Sequence, residues 1–307
     1  MAFLRKEKRL SLRRACRLVG ISTSVFQYRK RKNRNIALRR EIKRLALKHR
    51  RDGYRSLHRL LRWKGWNVNK KRVERIYREE KLQLRRKTKK KLPVHLRMEV
   101  PAPKKLNECW SVDFLSDADV TGRQVRILAA IDDASRECLI LSAARSMTGA
   151  EVAAQLDRVA LFRGYPTFLR MDNGPEFRSA AMAAWATKHG VTLIFIEPGK
   201  PFQNCFVESF NGILRRKCLD LNVFHDLAHA QAVVDAFRNE YNHEKPHGSL
   251  GVPPAVFASQ LRKELKDNNR TMLQTVAKKG GLIRIIKGRK ISLRDGFLKK
   301  TMLRLFC

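Results

Sequence analysis

The sequence predicts an α/β protein: an all-α helix-turn-helix region, then a core built on a mixed sheet. Three observations carry that prediction. Apolar residues recur at helical spacing up to about residue 82. From about residue 107, β-branched and apolar runs alternate with helical segments. The charge is also uneven: of a formal net charge of +39, residues 1–100 carry +29, residues 101–200 none and residues 201–307 carry +10. A chain of 307 residues is long enough for two or three domains.

Residues 1–34 form the first expected unit. Leu12, Ala15, Cys16 and Val19 make a helical stripe, Gly20 ends it, and Ser22 caps a second helix carrying Val25, Phe26 and Arg29. This is helix-turn-helix grammar, although any small helical hairpin reads the same way. Residues 35–82 repeat the pattern on a larger scale. Ile36, Leu38, Ile42, Leu45 and Leu47 mark one helix, and Leu57, Leu60 and Leu61 a second. After a turn at Lys64-Gly65-Trp66, Asn69 is placed to cap a third, lined by Val73, Ile76 and Tyr77. Residues 83–106, with KTKKK and then Pro93, Pro101 and Pro103, read as an extended basic linker.

The core is expected over residues 107–266. WSVDFLSD and RQVRILAAID read as two strands joined at Thr121-Gly122, and ECLILSAA as a third. A helix follows from about Gly149 to Phe162, then a strand TFLRM ending at Asp172. A turn at Asn173-Gly174-Pro175 leads into a helix from Glu176 to His189, then a strand VTLIFIE and a helix over 203–219 that bears Glu208. Another helix is expected over 226–244, and HEKPHGSLGVPPAVF as a loop and short helix packing back. Residues 267–307 form a basic tail of no assigned role, with a candidate hairpin about Lys287-Gly288.

An excess of positive charge on this scale calls for a polyanion, and nucleic acid fits better than membrane because the basic helices lack a broad apolar face. The candidate DNA contacts are Arg29 and Lys30 after the first hairpin, Lys70, Lys71 and Arg72 at the start of the third helix, and Arg215 and Arg216 in the core. No apolar run nears the ~20 residues that span a bilayer, which points to a cytoplasmic, nucleoid-associated protein. The six cysteines show no C-x-x-C pairing and read as reduced core thiols. Trp63, Trp66, Trp110 and Trp185 are expected to pack rather than to stack on bases.

Three acids stand apart. Asp113 interrupts apolar neighbours in a strand, Asp172 ends a strand before a glycine turn, and Glu208 lies in a helix with Asn204, Asn211 and Arg215 on nearly the same face. If they converge, their mutual repulsion calls for cations, and all-oxygen ligation favours two Mg2+ or Mn2+ ions acting on phosphorus. Any one of them alone is as well explained by a cap or an arginine partner, and the adjacent acids Asp132 and Asp133 compete on spacing.

The strings NECWSVDFLSDA, IDDASRECL, RMDNGPEF, PGKPFQNCFVESFNGILRRKCL and YNHEKPHGSLG, in this order, closely resemble the second-reading-frame transposases of insertion-sequence family three, in the retroviral-integrase-like group. The 35 residues between Asp172 and Glu208 belong to that signature. The resemblance implies an RNase H-like core whose Asp-Asp-Glu triad is Asp113, Asp172 and Glu208, acting with two Mg2+ or Mn2+ ions. It implies a contact from Arg215 to terminal DNA, and helix-turn-helix modules for the terminal inverted repeats. It also implies target DNA, a homo-oligomer on DNA and an upstream reading-frame product as partners. The chain departs from the family pattern at Met171, Phe202 and Cys205. The alternatives left open are a non-catalytic DNA-binding regulator of transposition, an inactive remnant and an RNase H-type nuclease. His243-Glu244-Lys245-Pro246-His247 fits the zinc-protease pattern H-E-x-x-H, but Pro246 breaks the continuous helix that such a site needs.

Overall fold

The computed structural model describes residues 10–29, 35–84, 103–197 and 201–278, without the side chains of 201–202 and 268–278. Lys30, most of the expected linker and the candidate hairpin about Lys287-Gly288 lie outside the described residues. The chain divides into two units, Met1–Arg97 and Met98–Cys307.

In the first unit, α1 (Leu12–Val19) ends at Gly20 in the left-handed region, and Ser22 caps α2 (Thr23–Gln27) by accepting from Val25 N. This hairpin buries only Ala15 and Cys16; Val25, Phe26 and Tyr28 are exposed. The second helix is shorter than expected, so Arg29 lies beyond its end. A three-helix cluster follows: α3 (Ile36–Lys48), α4 (Tyr54–Trp63) and α5 (Lys70–Glu79). Its core joins Leu38, Ile42 and Leu45 to Leu57, Leu60, Leu61, Val73, Ile76 and Tyr77. Each such buried side chain contributes about 1.5–3 kcal/mol. Ile36 and Leu47 fall on the exposed side of α3, because the stripe that packs runs 38, 42, 45. Trp63 is likewise exposed, at the last position of α4.

The second unit is a five-stranded sheet in the order β3-β2-β1-β4-β5. Strands β1 (Cys109–Ala118), β2 (Gln124–Asp132) and β3 (Cys138–Ala144) form an antiparallel meander; β4 (Phe168–Met171) and β5 (Thr192–Phe195) add on in parallel to β1. Helices α6 (Gly149–Arg163) and α7 (Ala180–His189) cover one face, where Trp110, Val112, Leu128, Leu169 and Met171 pack. Helices α8 (Cys205–Lys217) and α9 (Leu227–Asn239) cover the other, against Ile127, Ala129 and Ile131. The alternation of β2 between the two clusters is what a sheet buried on both sides requires.

Helix α7 begins at Ala180 rather than Glu176. Residues 176–179 are spent on a turn in which Phe177 is buried and Ser179 caps the helix. Helix α10 (Pro254–Lys278) is long rather than short and runs through residue 266, where the tail was expected to begin. The outer edge of β3 is closed by side-chain amides. Gln231 accepts from Ala143 N (2.7 Å) and donates to Leu141 O (3.1 Å). Asn242 accepts from Cys138 N and donates to Cys138 O, both at 2.9 Å.

Candidate active site

Alternation along β1 sends Val112 and Phe114 to the α6–α7 face and Ser111 and Asp113 to the α8 face. On β4, Leu169 and Met171 likewise face α6 and α7, which leaves Arg170 and Asp172 on the α8 side. Helix α8 lies over that side and carries Glu208 in its first turn. The three acids are therefore presented to one face of the sheet, from β1, from the end of β4 and from α8. Met171, one of the departures from the family pattern, packs in the opposite layer with no exposure at all. It does not touch the site. The side chain of Phe202 is not among the described residues.

Asp113 is half buried. Its Oδ1 accepts from Phe114 N (2.8 Å) and its Oδ2 from Asn211 Nδ2 (2.7 Å), one turn along α8 from Glu208. Burial pushes the Asp113 carboxyl up to about 6. The Asp172 and Glu208 carboxylates push the same way, while the Phe114 amide and Asn211 hold it down. Burial also raises Glu208. Asp172 accepts from Gly174 N (3.0 Å), and a Cβ at Gly174 would stand 3.0 Å from its Oδ1, so glycine keeps the carboxylate in that turn. The donor chemistry, three carboxylates, suits a hard divalent cation. Among the described residues, however, no three His, Cys, Asp or Glu side chains stand close enough to hold one.

Two clasps hold the segments around the acids, the first on the opposite, α6–α7 face of the sheet. Arg126 on β2 pairs with Glu176 of the turn after Asp172 (2.5 Å) and lies over the Phe114 ring, which in turn stacks on Phe177. Gln203 accepts from Glu197 N and donates to Glu197 Oε1, each at 2.9 Å, closing the loop between β5 and α8. The sequence reading missed both: Glu176 and Phe177 lie inside RMDNGPEF, but no spacing rule names Arg126 as their partner.

Asp132 and Asp133 do not join the triad. Asp132 is fully buried and caps its own turn, accepting from Ser135 N (2.7 Å), Ala134 N (3.0 Å) and Asn107 N (2.8 Å). Asp133 pairs with Arg170 (2.9 Å).

The basic residues fall into two groups. Arg29, Lys70, Lys71 and Arg216 are exposed. Arg72 is half buried and donates to Asn35 Oδ1 at the start of α3 (2.8 Å from Nε). Arg215 binds the end of β1, donating to Asp117 Oδ2 (2.8 Å) and to Ser116 O (2.5 Å). The segment 243–247 forms no continuous helix: a π-helical turn ends at Glu244, and Lys245, ahead of Pro246, is extended.

Integrase core domain families match residues 103–201 and 189–254, and an HTH-like domain family matches residues 31–90. The chain is 44% identical over 264 residues to the insertion element IS407 uncharacterized 31.7 kDa protein of Burkholderia multivorans, covering 85% of this chain and 95% of that one. It belongs to the transposases of insertion-sequence family three, in the retroviral-integrase-like group. It is also 43% identical over 261 residues to the insertion element IS476 uncharacterized 39.2 kDa protein of Xanthomonas euvesicatoria, covering 84% of this chain and 75% of that one. To transposase InsD of insertion element IS2 from Escherichia coli it is 26% identical over 231 residues, covering 70% and 76%. The mixed sheet, with β4 and β5 parallel beside an antiparallel meander, is the RNase H-like core of this family.

Proposed function

We propose that this chain is a transposase that cuts the ends of its insertion element and joins the 3′-hydroxyl to target DNA. Asp113, Asp172 and Glu208 are the catalytic residues. The observation that carries this reading is the presentation of all three acids on the α8 face, with the Asp113 carboxyl felt by both others. Family membership and likeness to a protein named as a transposase support it.

Asp113, Asp172 and Glu208 would hold two Mg2+ or Mn2+ ions, which when bound activate the attacking oxygen and stabilise the leaving one. The chain's own work is placement. Asn211 fixes the Asp113 carboxylate, the Gly174 turn fixes Asp172, and Arg215 ties α8 to β1 and so sets the height of Glu208. The α5 start supplies a phosphate contact: Lys70 and Lys71 are exposed in its first turn, where the helix dipole disfavours cations and favours an anion. Arg29, Lys30 and Arg216 are offered as further backbone contacts. Arg72 and Arg215 act first as struts and reach DNA only if those pairs exchange. Terminal repeats and target DNA, a homo-oligomer on DNA and an upstream reading-frame product are the proposed partners, in the nucleoid. No helix among the described residues is long and apolar enough to cross a membrane.

The test is Asp172→Asn in the full chain. End-DNA binding should persist while joining of a 3′-hydroxyl end is lost. Joining at the unaltered rate would overturn the reading. Binding with no metal-dependent joining by the unaltered chain would point to a regulator or a remnant. Cleavage of RNA–DNA hybrids without strand transfer would point to a nuclease.

A further inference from the structure

One buried group has no part in the triad and no explanation in the fold alone. The turn between β2 and β3 holds Asp133 and Arg136, and it touches every element that presents an acid. Asp133 N donates to Cys109 O on β1 (3.0 Å), and its Oδ2 accepts from Arg170 Nη1 on β4 (2.9 Å). Ser111, fully buried, lies beside its carboxylate and pairs in register with Arg170. The Arg136 guanidinium lies 3.6 Å from the Phe206 ring centroid on α8. Ser111, Arg170 and Phe206 each stand two residues before one acid: Asp113, Asp172 and Glu208. On a strand, two residues is one pleat along the same face. On the strands the turn therefore lies one step beneath Asp113 and Asp172; on α8, where two residues are about 200° of rotation, Phe206 ties it to the first turn that carries Glu208 without lying beneath that acid.

The arrangement is costly. Asp133 is fully buried, with only the Ser111 hydroxyl and the Cys109 thiol beside its carboxylate besides Arg170, and Arg136 Nη1 has no hydrogen-bond partner among the described residues. Arg136 also holds a φ of 61°, unusual for a side chain of its size, with its carbonyl accepting from Tyr241 Oη (3.1 Å). Burial raises Asp133 and lowers Arg136. Two apolar residues would close the turn with less desolvation.

We propose that Asp133 and Arg136 are positioning residues of the triad: through Arg170 and Phe206 they fix where β4 and α8 present Asp172 and Glu208 relative to Asp113. This rests on the proposed strand-transfer function for its consequence, but not for its geometry. The geometry is tested first, on the full metal-free chain, by amide hydrogen exchange in Arg136→Met, Asp133→Asn and Phe206→Leu. Protection over residues 205–210 should fall about tenfold while α6 keeps its own. Unchanged exchange, or a uniform loss over the whole core, would overturn the proposal. Should Arg136→Met not fold, Arg136→Lys, which keeps the charge without the planar stack, and Phe206→Leu decide the same question.

The consequence is read by joining in Mg2+ and in Mn2+. A loosened oxygen set should cost on the order of 10²-fold with Mg2+, which demands near-ideal geometry, and clearly less with Mn2+. Equal losses in both ions would refute positioning. If the unaltered chain joins nothing, the functional reading fails, and the exchange result still decides whether the turn holds α8.

Discussion

Asp113 shows what the site asks of a single residue. Its charge is opposed by burial and by two neighbouring carboxylates, and only two hydrogen bonds offset this. The folded carboxyl is raised to about 6 from an ordinary value of 3.8. Between those values the folded chain holds a proton that the unfolded chain releases. The metal-free protein should therefore lose stability as pH rises from about 4 to 6. Asp113→Asn should remove the share of that loss that Asp113 contributes, while Asp133 and Glu208, also raised by burial, keep theirs. Its melting temperature should match that of the unaltered chain near pH 4 and exceed it above pH 6. The gain should be about 1 kcal/mol, less than the full shift implies because the side chain is partly solvated. A variant no more stable at pH 8 would mean that burial and the neighbouring acids do not strain the Asp113 carboxylate. The same reasoning explains which part of the site was legible in the sequence. A charged residue flanked by Val112 and Phe114 announces itself, and so does an acid before Asn173-Gly174. Asp133, fully buried beside Arg170, is just as unusual, yet its neighbour in space is 37 residues away and nothing local names it.

At the scale of elements, close packing sets what can change. A Cβ on Gly149, the first residue of α6, would fall 1.9 Å from Ser179 Oγ and 2.5 Å from Glu176 O. Helix α6 therefore seats directly on the turn that follows Asp172. Gly149→Ala should cost about 1–3 kcal/mol by overpacking, read as a lower denaturant midpoint with unchanged slope. It should also lower joining more than end-DNA binding. Stability equal to that of the unaltered chain would show that this seat is not close-packed. The amides that close the β3 edge give a second test. Asn242→Leu strips Cys138 N and O of their partners and should cost about 2–5 kcal/mol, measured by thermal unfolding. Here the sequence was a good guide to element order and a poor one to ends. The β1–β2 turn at Gly122 was legible because turn residues sit between two alternating runs. The start of α7 was not, because Glu176 and Phe177 look helical but are drawn to Arg126 and Phe114 instead. Ile36 and Leu47 fit a helical stripe that the third helix does not cover.

At the scale of the whole molecule, charge is divided by task. Residues 1–100 carry most of the +39, and the stretch holding Asp113 and Asp172 is balanced. Binding to element ends should then depend steeply on salt. Affinity should weaken on the order of 10³-fold between 50 and 200 mM salt if six or more phosphates are engaged. A flat response would contradict the basic helical units as the DNA surface. The central claim is tested most directly by one measurement: the rate at which the purified full chain joins a 3′-hydroxyl element end to target DNA in Mg2+, alongside Asp113→Asn, Asp172→Asn and Glu208→Gln. The account predicts joining by the unaltered chain and none above background by each variant, with end-DNA binding retained. Joining at the unaltered rate by any one of the three would contradict it.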